Sequence, residues 1–127
     1  MPQVKICGIT RLEDALCAID AGADALGFVF YEKSPRCIVP EQARRMISKL
    51  PPFVTTVGLF VNEEPERVRL TAEFCGLNTV QLHGDETPKQ CHYSALRVIK
   101  ALRLQQEMDE AIFSSYPVSA LLLDAYV

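Results

Sequence analysis

V-T-T-V-G-L-F-V-N at 54–62, P-E-R-V-R-L-T-A-E-F-C-G at 65–76 and T-V-Q-L at 79–82 read in turn as strand, helix and strand. Thr55–Val61 is a short run rich in branched apolar residues, as a strand buried on both faces requires. The next segment, a helix, follows Asn62 and Pro65; Val68, Ala72 and Cys75 form one apolar stripe, and Gly76 follows as a stop. Thr79–Leu82 is again strand-like. Two strands joined through a helix run parallel, because the chain must cross back before it can pair.

The same alternation extends in both directions. Upstream, Val4–Cys7 and Ala25–Phe30 are candidate strands on either side of a helix from Arg11 to about Ala21, with Leu12, Ala15, Leu16 and Ile19 on one stripe. Thr10 with Glu13 predicts a capping box for it, and Gly22 a C-terminal stop. A second helix, Pro40 to about Lys49, turns Ala43, Met46, Ile47 and Leu50 to one face. Val39 stands where Ser, Thr, Asp or Asn is expected before its proline, so that cap is unmade. Downstream, Thr87-Pro88 opens a fourth helix, Val98–Leu102 is a strand, and Gln105–Ser114 is a fifth helix carrying Met108, Ala111 and Ile112 inward. Ala120–Asp124 is the sixth strand. No composition shift or linker interrupts residues 1–127, which read as a single α/β domain. Doubly wound sheets and (β/α)8 barrels both begin in this way, and periodicity does not choose between them.

Composition narrows the function classes. With 49% apolar and 23% charged residues the chain has an ordinary globular composition. Thirteen basic residues against sixteen acidic ones give a net charge of −3, which argues against a nucleic-acid or anionic-membrane surface. No apolar run reaches the roughly 18 residues of a membrane span, and no signal-peptide pattern opens the chain, so a cytoplasmic protein is expected. The cysteines at 7, 17, 37, 75 and 91 are odd in number and never in a C-x-x-C pair, which supports neither a disulfide framework nor a zinc site. Most are expected to be small buried hydrophobes. His83 and His92 share no ligand spacing, so no metal is expected. Neither G-x-G-x-x-G after the first strand nor G-x-x-x-x-G-K-[ST] anywhere is present, which removes the main nucleotide-binding signatures.

In either parallel architecture, function sits at the carboxyl ends of the strands. Those positions hold Cys7, Tyr31, Asn62, Gln81 with His83, Lys100 with Arg103, and Asp124. A period of two places Lys5 and Cys7 on one face, Gln81 and His83 on one face, and Leu122 and Asp124 on one face. A thiol beside Gly8 at a strand end is sterically accessible and becomes a base or nucleophile if its environment favours the thiolate; the alternative is an inert buried thiol. Asp124 interrupts an aliphatic run, Leu121 to Leu123, a costly placement for a carboxylate that is not solvated, paired or used; the alternative is an N-cap for a following helix. Arg36 can fork onto a carboxylate or lie solvated in its loop. His83, before Gly84, can stack, donate to an oxyanion or cap a turn.

Taken in order, K-I-C-G-I-T at 5–10, G-A-D-A-L-G-F-V-F at 22–30, S-P-R at 34–36, V-G-L-F-V-N at 57–62, V-Q-L-H-G at 80–84 and L-L-L-D at 121–124 resemble the phosphoribosylanthranilate isomerase family. The resemblance runs across essentially the whole chain. It implies a (β/α)8 barrel and a cofactor-free Amadori rearrangement of a small phosphorylated substrate in tryptophan biosynthesis. It further implies Cys7 as general base, Asp124 as general acid, Arg36 as the holder of the anthranilate carboxylate, and Gln81 and His83 as substrate-binding residues lining the pocket. A monomer or homodimer is expected. Two other readings are weighed beside it. Another phosphosugar isomerase barrel, such as that of histidine biosynthesis, is expected to use carboxylates in both roles, against which the thiol at Cys7 argues. A non-catalytic barrel fragment is the other.

Six βα units fall short of eight: 127 residues stand against the roughly 250 typical of a closed barrel. The last two units, with loops that commonly bind phosphate, are therefore expected beyond Val127 in the natural protein. An intact mass of 14.2 kDa for the natural protein would overturn that expectation.

Overall fold

The computed structural model describes residues 1–104 and 110–125. Six strands, β1 (Lys5–Ile6), β2 (Ala25–Val29), β3 (Thr55–Phe60), β4 (Thr79–Leu82), β5 (Arg97–Leu104) and β6 (Ala120–Ala125), form one parallel sheet in the order β1-β2-β3-β4-β5-β6. This order settles what periodicity left open. A doubly wound sheet reverses direction at a switch point, whereas here each strand adds beside its predecessor, as in a (β/α)8 barrel. The six strands are a half-barrel, with β1 and β6 at its edges.

Register then decides which residues face inward. Lys5 pairs with Ala25, Ala25 with Thr55, Leu59 with Gln81, Gln81 with Ile99, and Arg103 with Asp124. Paired residues of parallel strands point the same way, so these positions line the concave interior. The opposite parity supplies the core under the helices: Leu26, Phe28, Phe60, Val80, Leu82 and Val98 belong to one buried cluster. Every residue of the central β4 is buried, as both faces of that strand are covered.

The helices largely follow the apolar spacing. α2 (Pro40–Ile47) buries Ala43 and Met46, its N-cap Val39 makes no side-chain cap bond, and α3 (Pro65–Cys75) buries Val68, Ala72 and Cys75 before a left-handed Gly76. α1 (Leu12–Asp20) departs in two ways. Its N-cap is Arg11, with no side-chain cap bond, so Thr10 lies one residue too early for the expected capping box. Arg11 instead donates to Asp14 over 3.0 Å. Ala15 is fully buried with Leu12, Ala18 and Ile19 beside it, while Leu16 is exposed, so the buried stripe is rotated toward Ala18.

Two further expectations are corrected. Pro88–Cys91 is a single 3-10 turn rather than an α-helix, held by a capping box between Thr87 and Gln90. The helix before β6, α4 (Glu110–Ser115), buries none of its residues, and Ala111 and Ile112 are exposed. Met108 and the expected start at Gln105 lie outside the described residues. The inward contacts come instead from Tyr116 and Val118 just after the helix, which pack against the core. Of the cysteines, only Cys75 and Cys91 are buried; Cys17 is exposed and Cys7 and Cys37 are half-buried, so most are not core residues.

Phe28, fully buried at the centre of the outer face, is the position to test the core. Phe28→Ala removes a ring that the surrounding helices cannot collapse to replace, and is expected to cost about 3–5 kcal/mol. Urea unfolding of the natural protein measures it.

Candidate active site

Cys7 follows β1 directly, and the chain then bends sharply. The amides of Gly8 and Ile9 both donate to the Gly27 carbonyl at 3.0 Å, and Gly8 takes a φ of +83°. Two glycines make this corner possible. A Cβ on Gly27 would lie 2.9 Å from the Cys7 sulfur, and a Cβ on Gly8 would collide with the Arg36 side chain. Gly27 thus leaves the room the thiol occupies, and Gly8 the seat on which the guanidinium lies.

Arg36 reaches that seat because its loop folds back. Ser34 N–H donates to the Tyr31 carbonyl, Cys37 N–H to the Ser34 carbonyl, and Arg36 N–H to Ser34 Oγ at 3.2 Å. Arg36 Nη1 then donates to the Cys7 carbonyl at 3.1 Å. The arginine is exposed, yet it is anchored at the mouth rather than loosely solvated.

Across the interior runs one hydrogen-bonded chain of side chains. Lys5 Nζ donates to Gln81 Oε1. Gln81 Nε2 lies 3.0 Å from His83 Nδ1, and His83 Nε2 lies 3.2 Å from Asp124 Oδ2. Gln81 is buried, and its amide is satisfied by these partners. Burial pushes the Lys5 ammonium down from its ordinary value, opposed by the charge of the Cys7 thiolate form. The resulting cavity, of about 580 Å³, is lined among others by Cys7, Arg36, Gln81, His83, Arg103 and Asp124. The strand-end residues Tyr31 and Arg103 belong to it as well.

Asn62 and Lys100 do not line it. Lys100 has the parity of Val98 and Leu102, so it points away from the interior and is 1% exposed. It donates to Glu86 Oε1 at 2.8 Å and to the Gly84 carbonyl at 2.7 Å. The Glu86 carboxylate also accepts the amides of Asn62 and Gly84, each at 2.8 Å. Asn62, at a left-handed φ of 51°, accepts the Asp85 amide on its side-chain oxygen. This buried knot ties the ends of β3 and β4 to the middle of β5 beside His83. Burial alone would push the Glu86 carboxyl up, but the Lys100 and backbone hydrogen bonds outweigh it and hold the group below the usual carboxylate range. Cys75 is the contrast among the thiols: burial first, then Glu41, push it up to about 11, so it stays protonated at neutral pH.

Against this geometry, a sequence model of the family described as N-(5'phosphoribosyl)anthranilate (PRA) isomerase matches residues 4–127. The chain belongs to that family. A phosphoribosylanthranilate isomerase of Citrifermentans bemidjiense is 60% identical over 126 residues, covering 99% of this chain and 61% of the relative. The crystal structure of the Thermotoga maritima isomerase superposes with a TM-score of 0.87 at 48% identity, covering all of this chain and 63% of that one. A phosphoribosylanthranilate isomerase in complex with reduced 1-(o-carboxyphenylamino)-1-deoxyribulose 5-phosphate superposes with a TM-score of 0.86 at 48% identity, covering 99% of this chain and 66% of that one. The chain spans about three fifths of the length of the curated isomerases it matches. Among the described residues, no helix is long and apolar enough to cross a membrane.

Glu86 is the neighbour of the site that the sequence reading missed. The available signal was Lys100, whose parity puts a cation among apolar residues, where it must find a carboxylate. Glu86→Gln is expected to cost about 3–5 kcal/mol at neutral pH by leaving the buried ammonium unpaired. Because the Glu86 value is depressed, its stabilisation is present above the ordinary carboxylate value of about 4.3 and lost as pH falls through the folded-state value. Denaturant unfolding between about pH 3 and 7 should therefore be less pH-dependent in the variant.

Proposed function

We propose that the protein catalyses the Amadori rearrangement of N-(5-phosphoribosyl)anthranilate to 1-(2-carboxyphenylamino)-1-deoxyribulose 5-phosphate, in tryptophan biosynthesis in the cytoplasm. The observation that carries the reading is that a thiol just after β1 and a carboxylic acid on β6 line one cavity in a chain of the phosphoribosylanthranilate isomerase family. The residues are taken as one (β/α)-barrel domain, working as a monomer or homodimer.

The chemistry asks for an acid and a base on different sides of a sugar. Asp124, as the general acid, gives its proton to the ribose ring oxygen; the bond from that oxygen to C1 breaks and a Schiff base forms. Cys7, as a thiolate general base, removes the C2 proton, and the C2 electron pair neutralises the iminium to give an enolamine. Protonation at C1 and loss of the proton from the C2 hydroxyl yield the ketone, so that all protons balance. Proton transfers to and from the substrate drive each step while its electron pairs shift internally, the kind of work positioned acids and bases accelerate.

Arg36, seated over Gly8 and the Cys7 carbonyl, forks onto the anthranilate carboxylate. Two parallel charge-assisted bonds suit a planar guanidinium better than an ammonium. Gln81 and His83 line the sugar side of the pocket.

A turnover assay following anthranilate fluorescence on the natural protein tests the reading. Cys7→Ala and Asp124→Asn are each expected to lower kcat by about two orders of magnitude or more. Arg36→Lys should raise KM about tenfold or more with a smaller effect on kcat, as expected for the loss of charge-assisted hydrogen bonds worth about 1.5–3 kcal/mol. No turnover by the unsubstituted protein, or near-normal turnover with Cys7 or Asp124 replaced, would sink the assignment.

A further inference from the structure

We propose that Lys5 is a positioning residue that, acting through Gln81 and His83, dictates which oxygen of Asp124 carries the acid proton. This rests on the isomerase reading for its consequence in turnover, but its hydrogen-bond content stands apart from that reading.

The direction of the chain follows from donor and acceptor counts. An ammonium has three N–H donors and no acceptor. Its contact with Gln81 therefore fixes the amide oxygen toward Lys5 and the amide nitrogen toward His83. An amide nitrogen can only donate, so His83 Nδ1 must accept. A neutral imidazole that accepts at Nδ1 keeps its proton on Nε2. That N–H then donates to Asp124 Oδ2. In a carboxylic acid the carbonyl oxygen is the stronger acceptor, so a donor fixed on Oδ2 favours the acid proton on Oδ1. Four side chains from β1, β4 with its following residue, and β6 thus transmit one binary choice.

Without Lys5 the choice is lost. Gln81 is 2% exposed, so water is poorly placed to select its orientation. With the amide reversed, His83 Nδ1 must donate and Nε2 accepts. The Asp124 proton is then drawn to Oδ2 and held by His83 instead of being available to the sugar. An imidazole in the wrong tautomer is costly elsewhere in acid-base catalysis even when the geometry is intact.

Other charged or titratable groups surround His83. Cys7 after β1, Tyr31 and Arg36 after β2, and Arg103 on β5 share its cavity, and Asp85 with the Lys100–Glu86 pair borders its other side. Arg36 is engaged with the Cys7 carbonyl and Lys100 with Glu86 and Gly84. Among the described residues, Gln81 is the group hydrogen-bonded to Nδ1.

Long-range proton–nitrogen correlation spectra of the natural protein labelled with ¹⁵N-histidine, assigned with His83→Gln, read the tautomer directly. The unsubstituted protein should show His83 as the Nε2–H form. Lys5→Met should bring in the Nδ1–H form and lower kcat about tenfold or more, with KM changed less than about threefold. Lys5→Arg, again a pure donor, should restore the Nε2–H form. An Nδ1–H form in the unsubstituted protein, or an unaltered tautomer or kcat in Lys5→Met, overturns the proposal. Should Lys5→Met not fold, Gln81→Glu presents only acceptors to Nδ1, and an Nε2–H neutral ring persisting there overturns it equally. Absence of turnover in the unsubstituted protein would instead overturn the isomerase reading, while the tautomer in the same sample still decides the hydrogen-bond chain.

Discussion

In-order parallel pairing is the constraint on which everything else depends. Once β1 to β6 lie side by side with paired residues sharing a face, parity alone sorts the chain into two chemistries. The outer parity carries Leu26, Phe28, Phe60 and Val80 into the helix-covered core. The inner parity carries Lys5, Gln81, Arg103 and Asp124 into one cavity. A slip of one residue in any strand would exchange these sets, burying charge among the helices and exposing aromatic rings in the cavity. Fold and site therefore share a single specification.

Legibility in the sequence tracks how local each determinant is. α3 stays close to its sequence reading because Pro65 and Gly76 punctuate it within one short segment. The gathering of Cys7, Gln81, His83 and Asp124 was readable as strand-end placement, Arg36 only as a loop residue, and the family resemblance supplied roles that spacing could not. The misses involve competition or distance. The Thr10 cap lost to a start one residue later, where Arg11 and Asp14 pair. The helix expected after Pro88 is one 3-10 turn because Thr87 and Gln90 close it reciprocally. Lys100 looked like a member of the strand-end set and belongs to the opposite face, matched by a carboxylate in a loop that no periodicity marks.

The site combines two kinds of polar organisation. Along the interior, Lys5, Gln81, His83 and Asp124 are linked end to end, so each group sets the state of the next. Behind it, Glu86 gathers Lys100 and the amides of Asn62 and Gly84 around one carboxylate. The first arrangement is directional and suits proton placement. The second is convergent and rigid, and it holds the His83–Gly84 corner from which the first is hung.

The burial of that knot also separates the protein's ion pairs by their response to ionic strength. Arg11 with Asp14 at the start of α1 and Arg69 with Glu66 on α3 are half or more exposed to solvent, where water and mobile ions weaken their attraction. Lys100 and Glu86, at 2% and 6% side-chain exposure, lie where counter-ions do not enter. The helix exteriors are thus electrostatically soft toward salt, while the corner that carries His83 is insulated from it.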